Sequence, residues 1–200
     1  MLGLVALIAC GTADNPYSKI KNPPLIAARL FNVTLVSDSR AVVDTVTGAG
    51  WQAARLPPNY PQADAVQAAM WGVPEAVAAA ATHYKATAKG VPDLRILEMP
   101  LAAKGRVAEE ATNEAFFRNV LGSHVPAWPL SGAQPENVRV QVWTYLVPSI
   151  IEASKRLRES GIPVIYDPVG LTTPYLGTHK TLAIRAPDGT VIQLVETSSQ

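Results

Sequence analysis

The chain has 200 residues, a formal charge of +1 at pH 7 and 48% hydrophobic residues, so it can bury a core without covalent cross-links. A charge this close to zero provides no basic field for nucleic acid or an anionic membrane surface. The single cysteine excludes an internal disulfide framework and a multi-cysteine zinc site, and 17 prolines with 13 glycines indicate short elements joined by many turns.

An apolar run over residues 2–9 opens the chain, and Leu7 to Gly11 resembles the lipobox of bacterial lipoproteins. The run is too short to span a bilayer as a helix. It predicts an exported protein, periplasmic or lipid-anchored, with Cys10 lipidated and residues 1–24 acting as signal-like segment and tether. No basic residue precedes the run, so a second interpretation stays open: a cytoplasmic protein whose inert cysteine follows a buried first strand.

The first module is predicted over residues 25–101, where strand-like alternation and helix caps succeed one another. In chain order its predicted elements are a strand over 29–36, a helix from 41 to the glycines at 48 and 50, strands over 51–56 and 65–71, an alanine-rich helix over 74–89 that carries His83, and a closing strand over 94–99.

A connector over residues 102–136, with a helix around 107–121, is predicted to lead into a second module over residues 137–200. That module is predicted to contain strands over 138–145, 162–166, 179–185 and 191–196, a helix over 150–160 that Ser149 caps, and a loop over 167–178. In the first of these strands, valines alternate with Arg139, Gln141, Trp143 and Tyr145. This period of two is typical of a strand with one solvated face or one face that lines a polar cavity.

The two modules repeat one pattern. Residues 92–99 align with residues 187–194, each block being a Pro-Asp turn that leads into a short apolar strand. This alignment sets Glu98 opposite Gln193. Upstream of each block lie a strand, a helix and a helix-ending glycine, Gly50 in the first and Gly161 in the second. A repeated strand–helix–strands unit predicts two similar modules packed as one domain.

The segments that carry this pattern resemble the vicinal oxygen chelate superfamily, which includes glyoxalase I, bleomycin-resistance proteins, fosfomycin-resistance enzymes and extradiol dioxygenases. The resemblance covers most of residues 25–197 and rests on Leu30–Leu35, Leu94–Met99, Arg185–Leu194 and the helix–glycine–strand run of residues 149–164. It implies an α+β fold in which two βαβββ modules form a curved mixed sheet around a cavity.

The resemblance also implies four metal-ligand positions, which fall on Asn32, Glu98, Arg139 and Gln193. Only Glu98 is a good donor to a divalent cation, because amide oxygens are weak ligands and an arginine offers no lone pair. Arg139 would also repel the ion by several kcal/mol at about 4 Å with an effective dielectric near 20. We therefore expect no metal and no other cofactor. A divalent metal on Glu98 with Asn32 and Gln193 stays as an alternative.

Two functions follow from the resemblance. The first is a metal-independent lyase or isomerase acting on a small oxygenated or aromatic compound. In it Glu98 moves the proton, Arg139 holds the developing oxyanion, and both face one cavity. The second is a binding protein that sequesters a flat ligand without chemistry, as bleomycin-resistance proteins do. A titrating Glu98 separates the two, and a plain buried Glu98–Arg139 ion pair is the structural alternative.

The remaining ligand-binding candidates share a predicted position at the cavity or on a loop near it. They are Asn32, Thr34, Gln141, Trp143, Tyr145, His179, Lys180 and Gln193. Trp143 is predicted to stack on the ligand because it shares a strand face with Arg139. His179-Lys180-Thr181 resembles a histidine run of the extradiol dioxygenases, with a surface-loop histidine as the alternative. The expected partner is a small molecule, and whether a homodimer completes the cavity stays open.

Overall fold

The computed structural model describes residues 15–20, 25–57, 64–100, 109–125, 138–173 and 176–196. Cys10 and the apolar run lie outside these ranges, as do Trp128 and Tyr175. Residues 16–19 form a 3₁₀ turn that packs on the connector: the Tyr17 ring meets Phe116 edge-on at 5.0 Å, and the Asn119 amide donates to the Tyr17 carbonyl over 2.8 Å. No helix in the described ranges is long and apolar enough to cross a membrane.

The helices and strands alternate in the order expected of two consecutive modules. The first module contains β1 (Arg29–Ser37), α1 (Ala41–Gly48), β2 (Gln52–Arg55), α2 (Ala65–Trp71), α3 (Glu75–Ala79), β3 (Thr82–Thr87) and β4 (Leu94–Glu98). The connector contains α4 (Glu110–Phe116), which continues as a π-helical turn (Phe117–Leu121). The second module contains β5 (Val138–Val147), α5 (Ile150–Glu159), β6 (Val164–Thr173), β7 (Gly177–Arg185) and β8 (Val191–Glu196).

The described strands form one curved, unclosed sheet in the order β2-β3-β4-β1-β5-β8-β7-β6. In each module the first strand runs parallel to the last, β1 beside β4 and β5 beside β8. The two modules meet where β1 and β5 pair antiparallel. This is the paired βαβββ arrangement of the vicinal oxygen chelate fold, so the predicted fold class is confirmed.

The sheet has two faces of different character. On the helix face, α1, α5 and the connector pack on alternate strand residues to form the main core: Val33, Leu35, Leu94, Ile96, Trp143, Tyr145, Leu182, Ile184, Ile192 and Leu194. The opposite, inner face carries the residues between them, among them Asn32, Thr34, Val36, Arg95, Leu97, Val142, Thr144, Val191 and Gln193. Because side chains alternate along a strand, these two sets cannot share a face.

The two module helices begin and end on local signals that the sequence displays. Ser149 accepts a hydrogen bond from the Glu152 amide over 3.3 Å and so caps α5. Gly50 and Gly161 follow α1 and α5 with φ of 90° and 70°, a left-handed conformation that glycine adopts without strain. These predicted boundaries are confirmed.

Two predictions between β2 and β4 are wrong. Residues 65–71 form a helix and not a strand, because Asp64 caps the Gln67 amide over 2.9 Å and Gly72 ends the helix with φ 70°. The predicted alanine-rich helix is helical only at its start, as α3, and its second half is β3, which pairs with β2 on one side and β4 on the other. Strand pairing therefore overrides the helix propensity of alanine, and His83 lies on a strand.

A third prediction, the loop over residues 167–178, is also wrong for its first part. Residues up to Thr173 belong to β6, which forms a hairpin with β7 through pairs such as Gly170 with Lys180. Register shifts near Tyr166 interrupt the regular alternation of β6. Pro168 and Gly170 lie in the same segment, and because both residue types are unusual inside strands, the sequence indicates a loop.

The strand register also corrects the alignment of the repeat. The last residue of the first strand pairs with the last residue of the last strand in both modules, as Ser37 with Glu98 and Val147 with Glu196. Glu98 therefore corresponds to Glu196, and the position of Gln193 is taken by Arg95. The sequence alignment was displaced by three residues, because the second Pro-Asp turn is longer. An odd displacement moves a side chain to the opposite face of the sheet.

Candidate functional site

The inner face is divided into an apolar part and a polar part. Over the apolar part, α2 packs Ala68, Met70 and Trp71 against a set of sheet residues that comes from both modules: Val36, Leu97, Val142, Ala183 and Val191. Trp71 is only 4% exposed and belongs to this apolar contact. The Tyr166 hydroxyl donates to the Met70 sulfur over 3.9 Å and fixes α2 to β6. This part of the face is thus closed by protein.

The second module's polar groups on the inner face bond to one another. The Thr144 hydroxyl donates to Gln193 Oε1 over 3.0 Å, and Gln193 Nε2 donates to the Thr181 hydroxyl over 3.2 Å. Thr181 in turn donates to the Leu194 carbonyl over 2.8 Å. All three side chains are at most 8% exposed. Because each amide group of Gln193 has a partner, this network holds β5, β8 and β7 together.

Asn32 lies next to this network on the inner face, but its amide oxygen is not part of it. It pairs with Thr144 in the sheet register and is 8% exposed, and its buried Oδ1 atom has no hydrogen-bond partner among the described residues. A buried carbonyl oxygen left unpaired costs about 1–3 kcal/mol. An acceptor of this kind in a cavity wall is what a ligand's hydrogen-bond donor would satisfy.

Asn32 lines a cavity of about 290 Å³. Its other lining residues come from β1, β3, β4 and the turn that joins β3 to β4: Phe31, Lys85, Val91, Pro92, Asp93 and Arg95. Phe31 reaches the cavity because a β-bulge between Leu30 and Asn32 removes it from the regular alternation. The volume is close to the lower end of small-molecule pockets, about 300–1,000 Å³.

The cavity carries more positive than negative charge. Lys85 Nζ lies 2.8 Å from Asp93 Oδ2, with both side chains more than a third exposed, and Arg95 adds a second cation. The influence of Arg95 extends along the inner face to His83. Burial first, and then the positive charge of Arg95, lowers the pKa of His83 to about 4. The described lining residues together leave one net positive charge.

His179 lies on the inner face of β7, two residues before Thr181. It is 7% exposed, and its Nδ1 is 3.0 Å from the Gly177 carbonyl. Its Nε2 is buried, with no hydrogen-bond partner in the part of the chain that the structure describes. Burial lowers the pKa of His179, so the ring is neutral at pH 7 and Nε2 keeps its lone pair. Lys180, its predicted companion, points to the other face and is exposed.

Glu98 and Arg139 do not form the buried ion pair that was the structural alternative to their predicted catalytic roles. Glu98 shares the helix-face alternation of Leu94 and Ile96 and accepts a hydrogen bond from the Tyr84 hydroxyl over 3.1 Å. Arg139 binds Asp38 instead, with its Nε and Nη2 at 2.7 and 2.6 Å from Oδ2. Burial and then the bond to Glu98 raise the pKa of Tyr84. Glu98 therefore bonds to Tyr84, and Arg139 bonds to Asp38.

Trp143 and Tyr145, which were predicted on the Arg139 side of β5, belong to the main core, whereas Gln141 is half-buried. Trp143 is 4% exposed and donates its Nε1 proton to Gln141 over 3.2 Å. Tyr145 is fully buried, and burial raises its pKa to about 12. The expectation that this face lines a polar cavity is wrong here because α5 and the connector cover it. Thr34, by contrast, lies on the inner face beside Arg95.

The metal that the superfamily implies does not fit these residues. The four carried-over positions are divided: Asn32 and Gln193 lie on the inner face, Glu98 lies on the helix face, and Arg139 is held by Asp38. The inner-face donors are two neutral amides, of which Gln193 is already committed to Thr144 and Thr181. Across the described ranges, no group of three or more His, Cys, Asp or Glu side chains could hold a metal ion.

Of the seven described residues that line the cavity, only Asn32 was predicted as a site residue; the six that were missed include Phe31, Lys85 and Arg95. Only Arg95 had a usable signal, since aligning the two modules at their strand ends sets it opposite Gln193. Lys85 was missed because a helix was predicted where β3 lies. Phe31 was missed because no sequence pattern marks the bulge in β1.

No protein-family model matches this sequence, and no curated protein matches it either. Several solved structures resemble the fold at low identity. Methylmalonyl-CoA epimerase from Mycobacterium tuberculosis is 13% identical, with 91% of this chain and 95% of that chain covered at a TM-score of 0.45. A glyoxalase/bleomycin resistance protein/dioxygenase superfamily member from Vibrio splendidus is 12% identical, with 85% and 98% covered at 0.43. Likeness this weak carries no information on activity, which has to be argued from the residues themselves.

Proposed function

We propose that this protein binds a small organic molecule in the Asn32 cavity and does so without a metal. The observation that carries the proposal is that Asn32, whose buried Oδ1 has no hydrogen-bond partner among the described residues, lines a cavity of about 290 Å³. On the same inner face, Gln193 has a hydrogen-bond partner for its amide oxygen and another for its amide nitrogen. A ligand that presents an N–H or O–H group to Asn32 would remove the cost of burying that oxygen.

Binding fits this cavity better than proton transfer by Glu98. The carboxylate predicted as the base lies on the helix face, bonded to Tyr84. The carboxylate that does line the cavity, Asp93, is nearly half exposed and paired with Lys85. A general base needs to reach the proton it removes, and neither group combines reach with protection from water.

A fragment screen by protein-observed NMR tests the proposal on the full chain. Hits are expected to shift the backbone signals of Asn32, Lys85 and Arg95, and Asn32→Leu should weaken them about tenfold, the value of one hydrogen bond of about 1.4 kcal/mol. Glu98→Gln is the matched control, because it changes a polar side chain on the opposite face. Hits that bind equally well to Asn32→Leu, or that weaken equally with Glu98→Gln, would contradict the proposal.

A metal-independent lyase or isomerase is the second candidate, and His179 is the observation that favours it. A neutral, buried imidazole whose Nδ1 is held by Gly177 can accept a proton at Nε2. The reaction class is proton abstraction next to a carbonyl, which requires no metal in the step assigned to His179. The test is deuterium exchange into phenylpyruvate followed by NMR: the wild type should exceed the background rate, and His179→Gln should return to it. Background exchange with the wild type would exclude this role.

A further inference from the structure

The turn between β7 and β8 contains the one Asp-Gly bond of the sequence, Asp188-Gly189, and the sequence has no Asn-Gly bond. We propose that Asp188 is a site of spontaneous isoaspartate formation, and that the connector restrains this reaction through Asn113. The inference goes beyond the proposed binding function and does not depend on it. It concerns a covalent change of the main chain immediately before β8.

Isoaspartate forms through a cyclic imide and needs no cofactor. The Gly189 backbone nitrogen attacks Cγ of the protonated Asp188 side chain, so that an N–Cγ bond forms and the Cγ–OH bond breaks. The hydroxyl group leaves as water with the proton of the Gly189 amide. A second water then cleaves the bond between the Asp188 carbonyl carbon and the Gly189 nitrogen. The product has its main chain routed through Cγ and carries a free α-carboxylate. Glycine favours this attack because it has no side chain to hinder the approach.

In the folded turn, both reacting groups are held by other partners. Asp188 Oδ1 accepts a hydrogen bond from the Thr190 amide over 2.9 Å, which is the local bond typical of an aspartate in a turn. The Gly189 amide, which supplies the nucleophile, donates to the Ala186 carbonyl over 2.9 Å. Ring closure requires the carboxyl group and this nitrogen to be released and aligned. The reaction is therefore expected to proceed when the turn opens locally.

Asn113 of α4 adds a restraint from outside the turn. Its Nδ2 donates to Asp188 Oδ2 over 3.1 Å, and its side chain is 9% exposed. Its Oδ1 is buried with no hydrogen-bond partner among the described residues, so the bond to Asp188 is the one that its side chain makes there. The second carboxylate oxygen is thus fixed by the connector, and loss of this bond should make the turn open more often.

The first module provides an internal control. Its Pro-Asp turn has Asp93 followed by Leu94, whose branched side chain hinders ring closure. Asp93 is also paired with Lys85 at 2.8 Å. We therefore expect Asp93 to remain aspartate under conditions that convert Asp188.

The modification would change both the fold and the recognition of this chain. It adds one main-chain carbon before Val191, where β8 begins, and so displaces the strand that carries Gln193. The free α-carboxylate is the group that isoaspartyl methyltransferases methylate. An aged chain is therefore expected to become a substrate for that class of enzyme, with S-adenosylmethionine as the methyl donor.

Peptide mapping after prolonged incubation of the full chain at neutral pH measures the reaction. Trypsin separates Asp93 and Asp188 into the peptides 90–95 and 186–200, and chromatography with electron-transfer fragmentation distinguishes isoaspartate from aspartate. Isoaspartate should form at Asp188 about tenfold faster in Asn113→Ala than in the wild type, which corresponds to one hydrogen bond of about 1.4 kcal/mol. Asn119→Ala is the matched control, because it removes a connector amide that bonds to Tyr17 and should leave the rate unchanged.

The wild type in guanidinium chloride gives a measurement that needs no variant, since the unfolded chain has none of these bonds and should convert Asp188 much faster. Equal rates in the folded and unfolded wild type would overturn the restraint by the fold. Equal rates in Asn113→Ala and either the wild type or Asn119→Ala would overturn the role of Asn113. Conversion of Asp93 as fast as Asp188, or methylation of an aged Asp188→Glu chain as strong as that of the aged wild type, would overturn the assignment of the site.

Discussion

The two modules of this chain place different chemistry at the same position of one sheet. At the last-strand position the first module has Arg95 and the second has Gln193, and each is paired with a threonine on the neighbouring strand. In the second module the polar groups satisfy one another, whereas in the first module the Asn32 Oδ1 has no partner among the described residues and Asn32 borders a cavity. We therefore expect the polar groups of the second module to contribute to stability and Asn32 to contribute to the proposed ligand binding.

The largest expected effect concerns the helix that only the first module inserts between its second and third strands. Trp71→Ala should lower the free energy of unfolding by about 3–5 kcal/mol, because it empties the apolar contact between α2 and residues of both modules. Urea denaturation followed by circular dichroism measures the change. A loss below about 1 kcal/mol would mean that α2 is not part of the shared core.

The next effect is a pH dependence that arises in the first module. The folded-state pKa of His83 is about 4, below its ordinary value of 6.5, so the unfolded chain binds the proton more tightly. The contribution of the neutral His83 to the free energy of unfolding is therefore fully present above pH 6.5. The free energy of unfolding should fall by up to about 3 kcal/mol as the pH drops to about 4, at about 1.4 kcal/mol per pH unit. Denaturation at several pH values compares the wild type with His83→Asn, which should lose most of this fall. An unchanged fall in the variant would assign it to other groups.

A smaller loss is expected from the closed network of the second module. Gln193→Met keeps the side-chain volume but leaves the Thr144 and Thr181 hydroxyls without their shared partner. The free energy of unfolding should drop by about 1–3 kcal/mol. Chemical denaturation measures it, and a neutral result would show that the network contributes nothing beyond packing.

The smallest expected effect on stability is that of Asn32→Leu, and it tests directly whether Asn32 and Gln193 have different roles. Asn32→Leu removes a buried acceptor that has no partner, so the unfolding free energy should stay within about 1 kcal/mol of the wild type or rise. The same variant should lose ligand binding. If Asn32→Leu destabilised the chain as much as Gln193→Met, Asn32 would belong to the structural network and not to a binding site.

Much of the fold could be read from the sequence because strands and helices in the middle of each module follow clear rules. The alternation of β1 and β5, the Ser149 cap and the glycines after α1 and α5 all have local physical causes. The strand over residues 82–87 could not be read in this way, because it depends on pairing with β2 and β4 and not on local propensity. The helix over residues 65–71 was missed although Asp64 and Gly72 are local signals for its start and end.

The candidate site was harder to predict, and the reason is register. Asn32, Thr34 and Gln193 could be found from strand alternation alone, since their faces depend on local parity. Glu98 was set opposite Gln193 by an alignment displaced by three residues, and that displacement exchanged it for Arg95. The partners of Arg139 and Trp143 depend on which face the helices cover, and a repeat of period two does not encode that choice.

The antiparallel seam between β1 and β5 has a consequence for any attempt to divide the protein. Each of these strands shields the backbone edge of the other, and the seam lies at the centre of the sheet. A half chain produced alone would expose a long strand with unpaired amide and carbonyl groups, which recruits another strand. Fragments separated between residues 125 and 138 are therefore expected to complement each other when co-expressed, and to self-associate when made singly.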